Sequence, residues 1–419
     1  MTFAQALAAL EARQETRIEL GLDRVRAHLA RLGDPHESVP AFHVAGTNGK
    51  GATCAMLAAV LRASGRRTGL YISPHLRDVR ERISVDGRPI SERAFARLAA
   101  RTFAADNDSR LTYFELLTSI AFQHFAAERC DVSVLETGLG GRLDATNVVT
   151  RPLAAAVTSV DYDHQAFLGR TLARIAAQKA GIFKTGRPAV FPDIPALRRA
   201  VKRGEPVVVR RPWRAVRTDW ARGAQVLRSP QGREYRLSLL GARQGRNAAI
   251  ARAAVDASGL KVSEASWREG LASVRWPGRF DVLRLGKKTL IVDGAHNPEA
   301  ARALAATWAS SPWSKRPARW ILGIMRDKDL AGVLRPIASF LRDVVVVRPP
   351  SPRALDPIEF AAAVHRAAPK ARITVERDPA RAIKAWRRDA GAPSVAVCAG
   401  SLYLAGAALK AAARGGRRS

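Results

Sequence analysis

The chain has 419 residues, enough for two domains with separate cores, and its 47% apolar content excludes a disordered polymer. Its three cysteines, Cys54, Cys130 and Cys398, lack metal-type spacing. So sparse and odd a set excludes a disulfide framework and suits a reducing, cytoplasmic setting. A formal charge of +32, from 69 Lys and Arg against 37 Asp and Glu, points to anionic ligands, or to a composition bias toward Arg.

The opening MTFAQALAALEARQE reads as an amphipathic helix with acidic residues, without the basic start and cleavage site of a signal peptide. The pattern then predicts strand Ala41–Val44, helix Thr53–Ser64, strand Thr68–Ile72, helix Glu92–Asp106 and helix Tyr113–Glu128. Strands Val132–Leu135 and Ala154–Thr158 and helix Thr171–Ile182 follow. Val207–Leu240 carries short alternating runs and turn residues, and reads as a small β region on the first domain. Helices Asn247–Ser258 and Glu264–Leu271 complete that domain, residues 1–274.

Residues 275–280 read as a linker, because Pro277 and Gly278 interrupt periodic structure. Alternation then restarts over residues 281–419: strand Thr289–Val292, helix Glu299–Trp308, strands Trp320–Ile324 and Val344–Val347, helix Ile358–Ala367, strand Ile373–Val375, helix Ala380–Arg388, strand Val395–Cys398 and helix Leu402–Ala413. The uncharged run Ala390–Leu409 contains Gly391, Pro393, Gly400 and Gly406, so it reads as strand, loop and helix, not a membrane span. The basic tail Arg414–Ser419 reads as a frayed, solvated end. Apolar strands alternating with amphipathic helices predict an α/β fold: a parallel-sheet N-terminal domain, which the glycine-rich turn and lysine at residues 46–53 mark as a P-loop ATPase domain, and a smaller Rossmann-like C-terminal domain.

The P-loop is Gly46-Thr47-Asn48-Gly49-Lys50-Gly51-Ala52-Thr53, between a strand and a helix. Glycines let backbone amides approach phosphates, the helix start favours an anion, and a lysine meets the terminal phosphates. Val44 lies where a standard Walker box has its first glycine, so an ordinary strand-to-helix turn is the competing reading. Glu136 ends an apolar strand before a glycine-rich loop, at the mouth of a parallel sheet, where ligands bind. A carboxylate there suits the hard cation that ATP requires, or simply caps the loop.

The ordered motifs are specific. They are GTNGK, Ser73-Pro74-His75-Leu76, Arg80-Glu81-Arg82, Tyr113-Phe114-Glu115, Glu136 to Asn147, Asp163-His164, Gln178-Lys179-Ala180-Gly181-Ile182, Trp276 to Phe280 and Asp293 to Pro298. In this order the chain resembles the bacterial folylpolyglutamate synthase/dihydrofolate synthase family of the Mur ligase superfamily.

The resemblance implies an ATP-dependent ligase joining L-glutamate to dihydropteroate and to reduced folates through an acyl phosphate. It implies two magnesium sites, with Ser73 and Glu136 in one and His164 and a carbamylated Lys179 in the other. Read alone, Ser73 is a turn serine, His164 a structural hydrogen-bonder and Lys179 a solvated helix lysine. Lys50, Lys179 and His296 are implied as catalytic, and the P-loop with Asn247, Arg279 and Asp293 as ATP-binding. Arg82, Phe114, Asp144, Ala145 and Ser401 are implied as substrate-binding, with Arg142-Leu143-Asp144-Ala145 resembling the form that accepts dihydropteroate. Turn and helix-cap roles compete at Asp293 and Ser401.

Two residues depart from the pattern: Ala52 replaces a serine that in the family helps hold phosphate or metal, and Arg243 replaces a histidine beside Gln244 and Asn247, a pair that resembles the family's adenine-binding stretch and for which capping the next helix is the competing reading. A monomer that engages neither membrane nor nucleic acid is expected. The alternatives are a folylpolyglutamate synthase without the dihydropteroate activity, a nucleic-acid-dependent ATPase suggested only by the charge, and a non-catalytic nucleotide-binding protein.

Overall fold

The computed structural model describes residues 1–13, 19–106 and 111–414. Most of the expected frayed tail, and the end of the first amphipathic pattern at Gln14 and Glu15, lie outside the described residues. Contacts divide the chain into two compact units. Unit 1 holds Met1–Arg214, Ser229–Tyr235 and Gly245–Val274, and unit 2 holds Ala215–Arg228, Arg236–Gln244 and Arg275–Ser419.

Unit 1 is built on strands β1 (Ala41–Ala45), β2 (Thr68–Tyr71), β3 (Ile83–Val85), β4 (Arg88–Pro89), β5 (Val132–Glu136), β6 (Ala154–Val157), β7 (Pro188–Pro192) and β8 (Glu205–Val209). Their spatial order is β4-β3-β2-β5-β1-β6-β7-β8. From β2 to β8 neighbours run parallel, and β3 and β4 turn back antiparallel at one edge. β1, β5 and β6 are buried along their whole length, as strands covered on both faces must be. One core gathers Tyr71, Phe95, Leu116, Leu117, Ile120 and Phe125. Another gathers Val157, Ile182, Phe183, Ala189 and Phe191.

Local chemistry sets the helix starts. The Thr112 hydroxyl accepts the Glu115 amide while Glu115 accepts the Thr112 amide, so Tyr113–Ala127 begins with a capping box. In unit 2, Asn297, Asp356 and Asp378 each cap a helix whose first residue is proline. Proline there sacrifices an amide that had no helical partner.

Residues expected as one small β region divide differently. β8 joins the main sheet, while β9 (Arg214–Asp219), β10 (Ala224–Arg228) and β11 (Glu234–Leu237) form a separate sheet in the order β11-β10-β9. Residues 215–228 and 236–244 group by their contacts with unit 2. Aromatic packing is the reason: Trp220 sits 5.9 Å from both the Phe280 and Trp313 rings, and Leu240 joins the core of Trp308 and Trp320.

Unit 2 also contains β12 (Asp281–Leu285), β13 (Lys288–Val292), β14 (Ala318–Leu322), β15 (Asp343–Val346), β16 (Arg372–Val375) and β17 (Val395–Ala399). The order is β12-β13-β17-β14-β15-β16, parallel except for the β12–β13 hairpin. Among the described residues, no helix is long and apolar enough to cross a membrane.

The helix Lys50–Ala63, which carries the P-loop lysine, packs closely on helix Glu264–Ser273. At Gly270 a β-carbon would lie 2.5 Å from Val60 Cα. Backbone cannot yield as a flexible side chain does, so Gly270→Ala forces the helices apart. We expect a lower denaturation midpoint with an unchanged slope, a loss of about 1–3 kcal/mol read by urea unfolding.

Candidate active site

The cradle follows β1 and is stitched to the end of β6. The Thr47 amide donates to the Ser159 carbonyl at 3.1 Å, and the Asn48 amide to the Ser159 hydroxyl at 2.9 Å. Thr158 Oγ1 donates to the Asn48 carbonyl at 2.7 Å. The Thr47 hydroxyl donates to the Asp161 carbonyl and accepts the Asp161 amide, both at 3.1 Å. Gly46 and Gly49 have φ of +152° and +88°. A β-carbon on Gly46 would meet Thr158 Oγ1 at 2.0 Å, and one on Gly49 would meet Asn247 Oδ1 at 2.5 Å. Glycine is thus required by conformation and by space. The same contact brings Asn247 to the loop. The sequence places Thr158 only as the end of a strand and gives Ser159 no part, although a hydroxyl pair ending an apolar strand is a usable signal.

Lys50 opens the helix and folds its ammonium back on the loop, donating to the Gly46 carbonyl at 3.0 Å and the Thr47 carbonyl at 3.4 Å. Gly51, Ala52 and Thr53 form the helix's first turns and are buried. The Thr53 hydroxyl is fully buried without a hydrogen-bond partner, so it is no exposed substitute for the hydroxyl missing at Ala52.

Glu136 and Ser73 come together at the ends of neighbouring strands β5 and β2. The Ser73 amide donates to Glu136 Oε2 at 3.1 Å, and Glu136 is buried. Lys179, near the end of helix Leu172–Ala180, is only 3% exposed. Burial, reinforced by the Lys50 cation and opposed by Asp163, pushes its amine down to about 7. His164 takes a left-handed conformation at φ +50°, with Nε2 3.9 Å from Asp163 Oδ1. Asp163 thus lies beside His164 and its charge opposes the fall at Lys179.

Among the described residues, no three His, Cys, Asp or Glu side chains converge as a ready-made metal cage. A hard cation bound through one carboxylate and substrate phosphates needs no such cage. Glu136 with Ser73 fits that role. An ammonium at Lys179 does not, whereas its carbamate would.

The loop after β5 faces another set of expected residues. At Gly138 a β-carbon would lie 2.6 Å from the Phe114 ring, which itself sits 5.8 Å from Tyr71. Arg82 is buried, lies over the Tyr113 ring at 5.3 Å, and donates from Nε to His75 Nδ1 at 2.9 Å. Asp144 caps the short turn Ala145–Val148. Its carboxylate accepts the Leu139 amide at 2.8 Å, the Thr146 amide at 3.0 Å and the Thr146 hydroxyl at 2.5 Å. Burial raises its pKa and these donors oppose the rise. Ala145 is buried in the adjoining core. The loop also rests on the Lys179 helix, where the Arg142 amide donates to the Gln178 carbonyl at 2.8 Å.

Unit 2 carries the remaining expected residues. Asp293 accepts the Phe280 amide at 2.9 Å and the Ala295 amide at 2.8 Å. Desolvation pushes its carboxyl up to about 6 against the Arg279 cation. Arg279 donates to the Gly278 carbonyl at 2.8 Å, and His296 Nδ1 lies 2.8 Å from the Gly294 carbonyl. The Ser401 hydroxyl accepts the Tyr403 amide at 3.1 Å, the geometry of a helix cap. Arg243 pairs with Glu299 and donates to its carbonyl at 2.8 Å. This residue is therefore engaged within unit 2, whereas Asn247 belongs to unit 1.

Residues 44–255 match the Mur ligase middle domain, and residues 278–402 the Mur ligase glutamate ligase domain. The chain is 40% identical to the dihydrofolate synthase/folylpolyglutamate synthase of Escherichia coli, over 81% of this chain and 80% of that protein. The structure of E. coli FolC in complex with DHPP and ADP superposes with a TM-score of 0.87 at 35% identity, covering 100% of this chain and 99% of that one. A bifunctional folylpolyglutamate synthase/dihydrofolate synthase from Yersinia pestis, complexed with AMPPNP and Mn ion, gives a TM-score of 0.83 at 32% identity, with 98% of each chain covered.

The Gly49 geometry yields a direct test. Gly49→Ala places a β-carbon against Asn247 in a disfavoured backbone region, deforming the cradle. Nucleotide affinity, measured by calorimetric titration with ADP, should fall at least about tenfold, the equivalent of roughly 1.4 kcal/mol.

Proposed function

This chain belongs to the Mur ligase family, in its dihydrofolate synthase/folylpolyglutamate synthase branch, and we propose that it joins L-glutamate to both dihydropteroate and reduced folates. Members of the branch are ATP-dependent, amide-forming ligases. The observation that carries the reading is the grouping of Lys50, Lys179, Glu136 and Ser73 in one unit with the loop 138–147. The names of the E. coli and Y. pestis relatives support two acceptors, as does the segment Arg142–Ala145.

The substrate carboxylate attacks the γ-phosphorus of ATP, ADP leaves, and an acyl phosphate forms. The glutamate amine then attacks the acyl carbon, loses a proton, and expels phosphate. Backbone amides of residues 49–51 at the helix start and the Lys50 ammonium offset charge on the phosphates. The Lys50 ammonium rests on the Gly46 and Thr47 carbonyls, so its donor is already at the loop. Arg82 and Phe114, with the loop carrying Asp144 and Ala145, hold the pteroate. Asn247 lies on the nucleotide side, beside Gly49. Arg279, Asp293, His296 and Ser401, all in unit 2, are assigned to ATP and glutamate by the family motifs they match. Magnesium, when bound, neutralises phosphate charge and polarises phosphoryl oxygens. Glu136 and Ser73 would hold one ion, and His164 with a carbamylated Lys179 a second.

The chemistry of Lys179 agrees with modification. Above about pH 7 its amine is largely neutral, and only the neutral amine carries the lone pair that attacks CO2. Attack at carbon and loss of an N–H proton leave an anionic carbamate in place of a buried cation.

Purified protein supplied with ATP, magnesium and glutamate should extend both dihydropteroate and tetrahydrofolate, releasing one ADP per amide formed. Extension of tetrahydrofolate alone would assign a single activity. ATP hydrolysis stimulated by nucleic acid without amide formation would contradict the ligase reading. Lys179→Ala should lower turnover about 100-fold or more, with partial recovery on adding a small carboxylate such as formate. Protein stripped of CO2 at pH 6 should be poorly active and regain rate with bicarbonate at pH 8; indifference to both treatments would remove the carbamate.

A further inference from the structure

His43 has no assigned part in this reaction, yet it is a polar side chain sealed inside a parallel sheet. It lies in β1, opposite Leu135 of β5 and Ala155 of β6, and is 0% exposed. Burial, with a smaller push from Lys184, drives its imidazole down to about 3, so the ring is neutral. Nε2 lies 2.8 Å from Thr146 Oγ1, while Nδ1 has no hydrogen-bond partner.

The tautomer follows from counting protons. Thr146 has one hydroxyl proton, and it is donated to Asp144 Oδ1 at 2.5 Å. The contact with His43 must therefore be Nε2–H donating to Thr146. The chain of donors runs in one direction, from His43 through Thr146 to the Asp144 carboxylate. Asp144 also takes the Leu139 amide on its other oxygen. One carboxylate thus ties both arms of the loop 138–147 together, and His43 anchors it to the central strand. Burying the imidazole costs desolvation that an apolar residue would not incur, and its one hydrogen bond goes into this chain of donors.

We propose that His43 is a positioning residue for the pteroate acceptor, orienting the Asp144 carboxylate through the Thr146 hydroxyl and thereby fixing the loop that faces Phe114. The proposal rests on the reading that this loop holds pteroate. ATP is held on the other arm of β1, by residues 46–50, whose hydrogen bonds run to Thr158, Ser159 and Asp161 and not to the relay.

The test compares KM for dihydropteroate and for ATP in His43→Leu and His43→Gln. His43→Leu should raise the dihydropteroate KM about tenfold and leave the ATP KM within about twofold. His43→Gln places an amide donor near the Nε2 position and should restore most of the loss. Equal increases in both KM values, or a Gln variant as impaired as the Leu variant, would overturn the proposal. Asp144→Ala separates it from the reading beneath it. If Asp144→Ala leaves the dihydropteroate KM unchanged, the loop is not the pteroate site and both ideas fall. If Asp144→Ala raises that KM and His43→Leu does not, the relay alone is wrong. Should His43→Leu fail to fold, Thr146→Val breaks the same link and is read in the same way.

Discussion

The site depends on a lysine held where water cannot reach it. Lys50 and Lys179 act on one another across the P-loop unit, and Lys179 is almost wholly buried. A buried ammonium beside another cation loses its proton readily, which is why its pKa falls so far below the usual lysine range. Anions relieve the same tension. ATP phosphates, a substrate carboxylate and a carbamate on Lys179 each bring negative charge to this place. The +32 formal charge of the chain favours anionic ligands in the same sense at longer range.

The parallel sheet supplies the geometry. The ends of β1, β2, β5 and β6 deliver, in turn, the P-loop, Ser73, Glu136 and the Thr158–Ser159 clasp. These strands are neighbours in space though far apart in sequence. Rigid strands place the groups, and the loops between strand and helix expose backbone amides. Crowding is part of this design. Gly46 and Gly49 admit no β-carbon because the clasp and Asn247 already occupy that space. Close packing behind the loop is what holds its amides in position.

Periodicity exposed most of the alternating strands and helices, and the failures have specific causes. The P-loop helix was expected from Thr53 but begins at Lys50, because a tertiary clasp overrides the poor helix propensity of Gly51. β7 was not expected, since prolines bound it at both ends. The helix Asp23–Arg31 was also missed, its apolar face being reduced to a few positions among charges. Residues 215–228 group with unit 2 through Trp220, and no local pattern announces a contact made so far along the chain. At the site, motif order carried the residue identities, but burial was invisible. Lys179 reads locally as a solvated helix lysine, and Asp144 gives no sign that its carboxylate is committed to its own loop. His43 is an unremarked polar residue in an apolar strand until Thr146 is seen beside it.

The central claim is that this cradle directs ATP's γ-phosphate to a substrate carboxylate, and isotope transfer tests it most directly. Dihydropteroate labelled with 18O in its carboxylate is incubated with ATP, magnesium and glutamate, and the released phosphate is analysed by mass spectrometry. The account predicts one heavy oxygen in each phosphate formed, because the bridging oxygen of the acyl phosphate leaves with phosphorus. Unlabelled phosphate accompanying amide formation would contradict it.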